Sequence, residues 1–163
     1  MGGMGPALLI AVLAAAAPLF ALGSETWWGL APCELCLWQR WPYWVAAGLA
    51  ALGTVLPGRA RAALVALAGV AALVSAAIAA LHAGVEQGWW PSPLPGCAAP
   101  AVPAGTMSID EMMRSLAPAP NKPCDAATYL VQGLPLSMAA MNLLYGLGLG
   151  ALALAFARRA ARA

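Results

Sequence analysis

Four long, mainly apolar stretches of the chain contain no Asp, Glu, Lys or Arg: residues 1–24, 41–58, 62–85 and 126–157. A helix that crosses a bilayer needs about 20 apolar residues, and the membrane core forces the backbone of such a segment to bond internally. We therefore predict an all-α membrane protein, a bundle of four transmembrane helices in a single integral membrane domain. The predicted spans lie near 6–22, 41–56, 62–81 and 135–156.

Composition supports the membrane prediction. Hydrophobic residues make up 63% of the chain and charged residues only 9%, whereas soluble domains carry about 25% charged residues. The first stretch is also compatible with a cleaved signal peptide, because Ala21, Leu22 and Gly23 resemble a cleavage site. However, no Lys or Arg precedes it, and signal peptides begin with a basic region. We therefore expect a retained helix.

Basic residues are distributed unequally between the predicted connections. Arg59 and Arg61 lie in the connection between the second and third spans, and Arg158, Arg159 and Arg162 follow the fourth span. Because basic residues favour the cytoplasmic side, we predict that both termini are cytoplasmic. The connections near 23–40 and 82–134 then lie outside the cytoplasm.

All four cysteines fall in these outer connections, where disulfides are permitted. Four cysteines allow three pairings, and the sequence alone does not choose among them. Proximity favours pairing Cys33 with Cys36 and Cys97 with Cys124. A zinc site is the rival use of four cysteines, but the distance between Cys97 and Cys124 does not fit the close ligand pairs of structural zinc sites. A membrane protein that handles metals through soft thiol ligands is a further, non-enzymatic alternative.

The Cys-x-x-Cys motif lies at the predicted start of the second helix, where free N–H groups and the helix dipole stabilise a thiolate. Cys36 and Arg40 are four residues apart and share a helix face. Arg40 can therefore reach toward Cys36 or an electron acceptor beside it, although an arginine at a membrane boundary can also serve only as an interfacial anchor.

The second connection contains two further features. His82 and Glu86 lie four residues apart near the expected cysteine chemistry, and either a functional or a capping role fits them. Ser108–Leu116 carries a capping box and an apolar face, which predicts a short amphipathic helix, placed either on the membrane surface or against the loop.

All seven tryptophans lie on the same side of the predicted membrane as the cysteines: Trp27, Trp28, Trp38, Trp41, Trp44, Trp89 and Trp90. Two interpretations fit this distribution, an asymmetric interfacial belt and the walls of a site for a flat aromatic ligand.

Taken together, these motifs resemble the bacterial disulfide-bond formation protein B (DsbB) family over nearly the whole chain. The resemblance rests on Cys33–Cys36 with Gln39 and Arg40, on Leu81–Gly88, on Cys97 and Cys124 with Asp125, and on Gly133 and Leu136–Ala139. It implies a protein-disulfide oxidoreductase of the cell inner membrane, with periplasmic cysteine loops. Such enzymes reoxidise a periplasmic thioredoxin-fold dithiol oxidase of the DsbA type and reduce ubiquinone or menaquinone.

The resemblance also implies residue roles. Cys97 would form the mixed disulfide with the partner, and Cys124 would be its mate. Cys33 and Cys36 would receive the electrons, with Cys36 nearest the quinone. Arg40 matches an arginine implicated in quinone use, and His82 is a further candidate for the quinone site. A vitamin K epoxide reductase-like protein is the alternative enzyme, but that family places its Cys-x-x-Cys near a later helix.

Overall fold

The computed structural model describes residues 4–97, 122–130 and 133–162, and this part of the chain is helical, without a β-strand. The four α-helices are α1 (Met4–Trp28), α2 (Glu34–Val55), α3 (Gly58–Glu86) and α4 (Met138–Arg162). A short 3-10 helix covers Pro95–Cys97. The amphipathic helix predicted at Ser108–Leu116 lies outside the described residues.

Three helices, α1, α3 and α4, are long and apolar enough to cross a membrane. The protein is therefore a multi-pass membrane protein. Helix α2 carries Glu34 and Arg40 in its first two turns, and its crossing of the membrane stays a prediction.

Helices α1 and α2 extend beyond the uncharged stretches. Helix α1 continues past Glu25, and α2 begins before Arg40, so only residues 29–33 connect them. The predicted connection at 23–40 was therefore too wide. Charge did not end these helices because Glu25 and Arg40 form an ion pair with each other, with side chains only 25% and 15% exposed.

Specific residues define both ends of α2 and the C-terminal end of α3. Cys33 is the N-cap of α2, and its sulfur accepts a hydrogen bond from the Cys36 N–H at 3.1 Å. At the other end of α2, Arg61 Nε donates to the carbonyl of Leu56 at 3.0 Å. Gly88 has a φ of 70° just after α3, a conformation that suits glycine and commonly ends helices.

Small residues allow α3 and α4 to pack closely. A Cβ added at Gly150 would lie 3.1 Å from the carbonyl oxygen of Gly69, and one added at Gly69 would lie 3.0 Å from the Ala153 Cβ. Close approach through small residues is the usual way in which membrane helices associate. Helix α2 packs on the other side of α3, and α1 packs mainly on α2. The four helices consequently bring the end of α1, the start of α2, the end of α3 and the start of α4 to one end of the bundle.

Candidate active site

The structure joins the four cysteines in two disulfides at this end of the bundle. Cys33 pairs with Cys36, with Cα atoms 5.1 Å apart, and Cys97 pairs with Cys124, with Cα atoms 4.8 Å apart. The pairing that the sequence left open is thus the one favoured by proximity. Cys33 and Cys124 are completely buried, and Cys36 is partly accessible.

The second disulfide lies in the same buried cluster as the first. Cys33, Cys97 and Cys124 belong to one buried cluster with Leu35 and Val85. Two backbone hydrogen bonds hold the loop in place: the Cys124 N–H donates to the Cys97 carbonyl, and the Lys122 N–H donates to the Pro32 carbonyl, both at 3.3 Å. The two cysteine pairs are therefore close neighbours, although 60 residues lie between Cys36 and Cys97 in the sequence.

 A cavity of about 450 Å³ opens beside the first disulfide. Its walls are mostly apolar side chains of α1 and α4, and Cys36, Arg40 and His82 are among the polar residues that line it. Arg40 Nε is buried there and has no hydrogen-bond partner within the described part of the chain. Apolar pockets of this size, with a few convergent polar groups, are typical of sites for small organic ligands.

Arg40 is held at the cavity by α1. One of its terminal nitrogens donates to the carboxylate of Glu25. The structure thus places Arg40 and Cys36 on the same cavity wall, as their spacing of four residues predicted. The sequence did not indicate Glu25 as the partner of Arg40.

A chain of polar side chains connects the cavity to the cysteines. The Tyr43 hydroxyl donates to Asn142 Oδ1 at 2.8 Å, and Asn142 Nδ2 donates to Gln39 Oε1 at 2.6 Å. Gln39 Nε2 then contacts His82 Nδ1 at 2.9 Å. The other ring nitrogen of His82, Nε2, lies 3.2 Å from the carbonyl oxygen of Cys124 and 3.5 Å from the sulfur of Cys33.

Glu86 lies one turn after His82, and its Oε1 is 3.8 Å from His82 Nε2. Its other carboxylate oxygen accepts a hydrogen bond from the hydroxyl of Ser137. Lys122, which donates to the hydroxyl of Thr128, lies near this carboxylate. Burial lowers the pKa of Lys122, and the negative charge of Glu86 partly opposes that shift. His82 therefore contacts both cysteine pairs, whereas Glu86 approaches them only through His82.

The tryptophans do not form the walls of this cavity. Phe20, Tyr43 and Tyr145 are the aromatic residues that line it. All seven tryptophans are at least 40% exposed on the surface of the bundle. Of the two interpretations of the tryptophan cluster, the structure therefore favours the interfacial belt.

Three residues of this chain of polar side chains were not singled out by the sequence: Tyr43 on α2, Ser75 on α3 and Asn142 on α4. Gln39 was named only as part of the family resemblance, and its backbone carbonyl accepts a hydrogen bond from Ser75 at 2.8 Å. The available signal was the occurrence of Ser75 and Asn142 inside otherwise apolar spans, since polar residues in such segments usually have a function.

One group of three residues in the described part of the chain has the spacing of metal ligands. The ligand atoms of Cys33, Cys36 and His82 lie within 4.8 Å of one another. The two sulfurs are joined in a disulfide, however. The nitrogen of His82 that faces them also contacts a carbonyl oxygen, which requires a donor. This arrangement suits thiol exchange better than metal binding.

A model of the family "Disulfide bond formation protein DsbB" matches residues 5–156. Neither a curated protein nor a solved structure gives a significant match to the chain.

Proposed function

Because the chain belongs to the DsbB family of disulfide bond formation proteins, we propose that it is a thiol oxidase of the bacterial inner membrane. It reoxidises a periplasmic thioredoxin-fold oxidase of the DsbA type and passes the electrons to ubiquinone or menaquinone. The family itself gives the general function, which is disulfide bond formation. The partner, the quinone and the orientation, with cytoplasmic termini, belong to the proposal.

The observation that carries this proposal is the burial of the two disulfides in one cluster beside the cavity. Cys97 and Cys124 lie against Cys33 in one buried cluster, and Cys36 lines the cavity. Electrons that enter at the loop disulfide can therefore reach the cavity by thiol–disulfide exchange between neighbouring sulfurs. A purely structural pair of disulfides would not need an adjoining ligand cavity.

The relay begins when a partner thiolate attacks Cys97. A partner–Cys97 disulfide forms, the Cys97–Cys124 bond breaks, and Cys124 leaves as a thiolate. Cys124 then attacks Cys33, which forms a Cys33–Cys124 bond and releases the Cys36 thiolate.

The second partner thiol completes the transfer. It resolves the partner–Cys97 disulfide and releases Cys97, which attacks Cys124 and releases Cys33 as a thiolate. The loop disulfide is then restored, and the electron pair resides on Cys33 and Cys36. Cys36 gives up this pair at the cavity, and the Cys33–Cys36 bond forms again.

The residues at the cavity fit a quinone. The walls are apolar, and the unpartnered Nε of Arg40 is a donor suited to a ligand carbonyl oxygen. A bound quinone supplies a two-electron acceptor, which takes up two protons as it becomes a quinol. Arg40 binds and orients the ring beside Cys36, and His82 borders the same space.

Substitution of Cys36 tests this proposal. Purified protein is mixed with a reduced thioredoxin-fold partner and a soluble quinone analogue, and quinone absorbance is followed. We expect the unaltered protein to reduce the quinone and Cys36→Ser to abolish the reaction. The matched control is Ser137→Ala, which removes the hydroxyl that donates to Glu86 without removing a sulfur. Turnover by Cys36→Ser at the unaltered rate would contradict the proposal.

A further inference from the structure

His82 lies where the two cysteine pairs meet. Its Nε2 faces the sulfur of Cys33 at 3.5 Å and the carbonyl oxygen of Cys124 at 3.2 Å. The side chain is buried, with only 2% of the residue exposed. One ring nitrogen thus contacts a sulfur of the first disulfide and the backbone of a cysteine in the second.

The hydrogen bonds around His82 determine which ring nitrogen carries the proton. A backbone carbonyl oxygen can only accept, so the contact with Cys124 requires a hydrogen on Nε2. The neutral ring then has a lone pair on Nδ1, which accepts from Gln39 Nε2 at 2.9 Å.

Ser75 and Asn142, at the other end of the chain of polar side chains, indicate the same orientation of the hydrogen bonds. Ser75 uses its hydrogen on the Gln39 carbonyl, so its oxygen is free to accept from Asn142 Nδ2 at 3.5 Å. This orients the Asn142 amide with Oδ1 toward the Tyr43 hydroxyl and Nδ2 toward Gln39 Oε1. Gln39 must then present its amino group to His82. Both ends of the chain therefore assign the proton to Nε2.

We propose that His82 is a hydrogen-bond donor at the junction of the two disulfides and does not act as a base there. Its Nε2–H holds the Cys124 carbonyl beside Cys33 and donates to the Cys33 sulfur when that sulfur is a thiolate. Gln39 is a positioning residue. It fixes the tautomer of His82 through its own hydrogen bond to Nδ1, and within the described part of the chain it makes no hydrogen bond to a cysteine sulfur.

This inference rests on the proposed relay and adds a role to its last exchange. When Cys97 attacks Cys124, the bond between Cys33 and Cys124 breaks and the electron pair remains on Cys33. A donor near that sulfur stabilises the leaving thiolate, and better leaving groups accelerate exchange. The Cys36 N–H, which already donates to the Cys33 sulfur at 3.1 Å, acts in the same direction.

Other titratable or charged side chains around the junction also influence the charge on Cys33. Every neighbouring element contributes at least one: Glu25 on α1, Glu34, Arg40 and Tyr43 on α2, Glu86 on α3, Lys122 in the second loop and Tyr145 on α4. A test of the donor must therefore change His82 while leaving these groups in place.

Nitrogen NMR tests the tautomer directly in the full-length, oxidised protein. The chain contains a single histidine, so selective ¹⁵N-histidine labelling reports on His82 alone. We expect a neutral ring with its proton on Nε2 at neutral pH. A proton on Nδ1, an even mixture of tautomers or an imidazolium would overturn the inference. Gln39→Leu should increase the Nδ1–H population, and an unchanged tautomer in that variant would refute the positioning role of Gln39.

A thiolate titration tests the donor function. In full-length protein with Cys36, Cys97 and Cys124 replaced by serine, Cys33 is the one remaining thiol, and its thiolate is followed by ultraviolet absorbance across pH, which needs no reagent to reach this buried residue. We expect His82→Leu to raise the midpoint of the titration by about one pH unit, the tenfold change expected for loss of one hydrogen bond to a charged sulfur. His82→Gln, which keeps an amide donor, should recover most of the shift. An unchanged midpoint in His82→Leu would overturn the donor role.

These measurements separate the inference from the proposed function, because neither uses a quinone or a protein partner. If the tautomer and the thiolate titration are as expected but no quinone is reduced, the proposed function fails and the donor role of His82 at Cys33 stands. If quinone reduction proceeds with the proton on Nδ1, only the inference fails. Should His82→Leu not fold, the NMR measurement on the unaltered protein still decides.

Discussion

The guanidinium group of Arg40 on α2 is paired with the carboxylate of Glu25 on α1, and both side chains are largely buried beside the cavity. The pair connects the two helices at the level of the cysteines. It also leaves Arg40 Nε free of protein partners within the described residues. Arg40 is thus held in place by one helix while it keeps a donor for a ligand.

The first prediction concerns quinone binding. Arg40→Ala should raise the apparent KM for a quinone analogue about tenfold, with a smaller change in kcat, because the lost donor contributes mainly to binding. Arg40→Lys should be intermediate, since lysine keeps the charge but lacks the planar fork of the guanidinium group. Steady-state quinone reduction measures both constants. Arg158→Ala, at the other end of the bundle, is the control, and an unchanged KM in Arg40→Ala would refute the binding role.

The second prediction concerns the stability of the ion pair. Glu25→Leu leaves the Arg40 guanidinium group partly buried without its counter-ion, which should lower the free energy of unfolding by about 1–3 kcal/mol. Glu25→Gln keeps a hydrogen-bond acceptor and should cost less. Thermal unfolding in detergent provides the comparison. A Glu25→Leu variant as stable as the unaltered protein would show that the ion pair does not support Arg40.

The third prediction concerns helix packing. Gly150 on α4 faces α3, where an added Cβ would meet the Leu73 side chain and lie 3.1 Å from the Gly69 carbonyl oxygen. Gly150→Val should therefore force the helices apart and lower stability by about 1–3 kcal/mol. Gly148→Val is the matched control, because a Cβ at Gly148 would have no neighbour within 4 Å. Equal thermal stability of the two variants would contradict the described packing of α3 on α4.

The fourth prediction concerns alkaline pH. Burial lowers the pKa of Lys122 below its ordinary value of 10.5. Between the lowered pKa and 10.5 the unfolded chain binds more protons than the folded protein, so this residue makes stability rise with pH in that window. Lys122→Met should remove the rise. The measurement is the unfolding temperature of the oxidised protein from neutral pH upward, and an identical slope in both proteins would exclude Lys122 as its source.

The sequence predicted the helical membrane fold because bilayer burial imposes a simple pattern of long uncharged stretches. It failed at the boundaries of α1 and α2, where charge was taken to indicate a loop. Glu25 and Arg40 satisfy each other instead, so both helices continue through charged residues. Such compensation depends on a contact between helices, which the local sequence does not show.

The candidate site was predicted in part. The spacing of Cys36 and Arg40 placed them on one helix face, and the cavity lining agrees. The chain from Tyr43 through Asn142 and Gln39 to His82 could not be predicted, because its members meet only when α2, α3 and α4 pack together.

The proposed relay to a quinone requires both disulfides, and a comparison of a protein electron donor with a small one distinguishes their roles. Quinone reduction by Cys97→Ser is measured with either a reduced thioredoxin-fold partner or a small dithiol that can reach Cys33–Cys36 by itself. We expect the unaltered protein to reduce one quinone for each partner disulfide formed, whereas Cys97→Ser should lose the reaction with the protein partner and keep it with the small dithiol. Full activity of Cys97→Ser with the protein partner would contradict the relay.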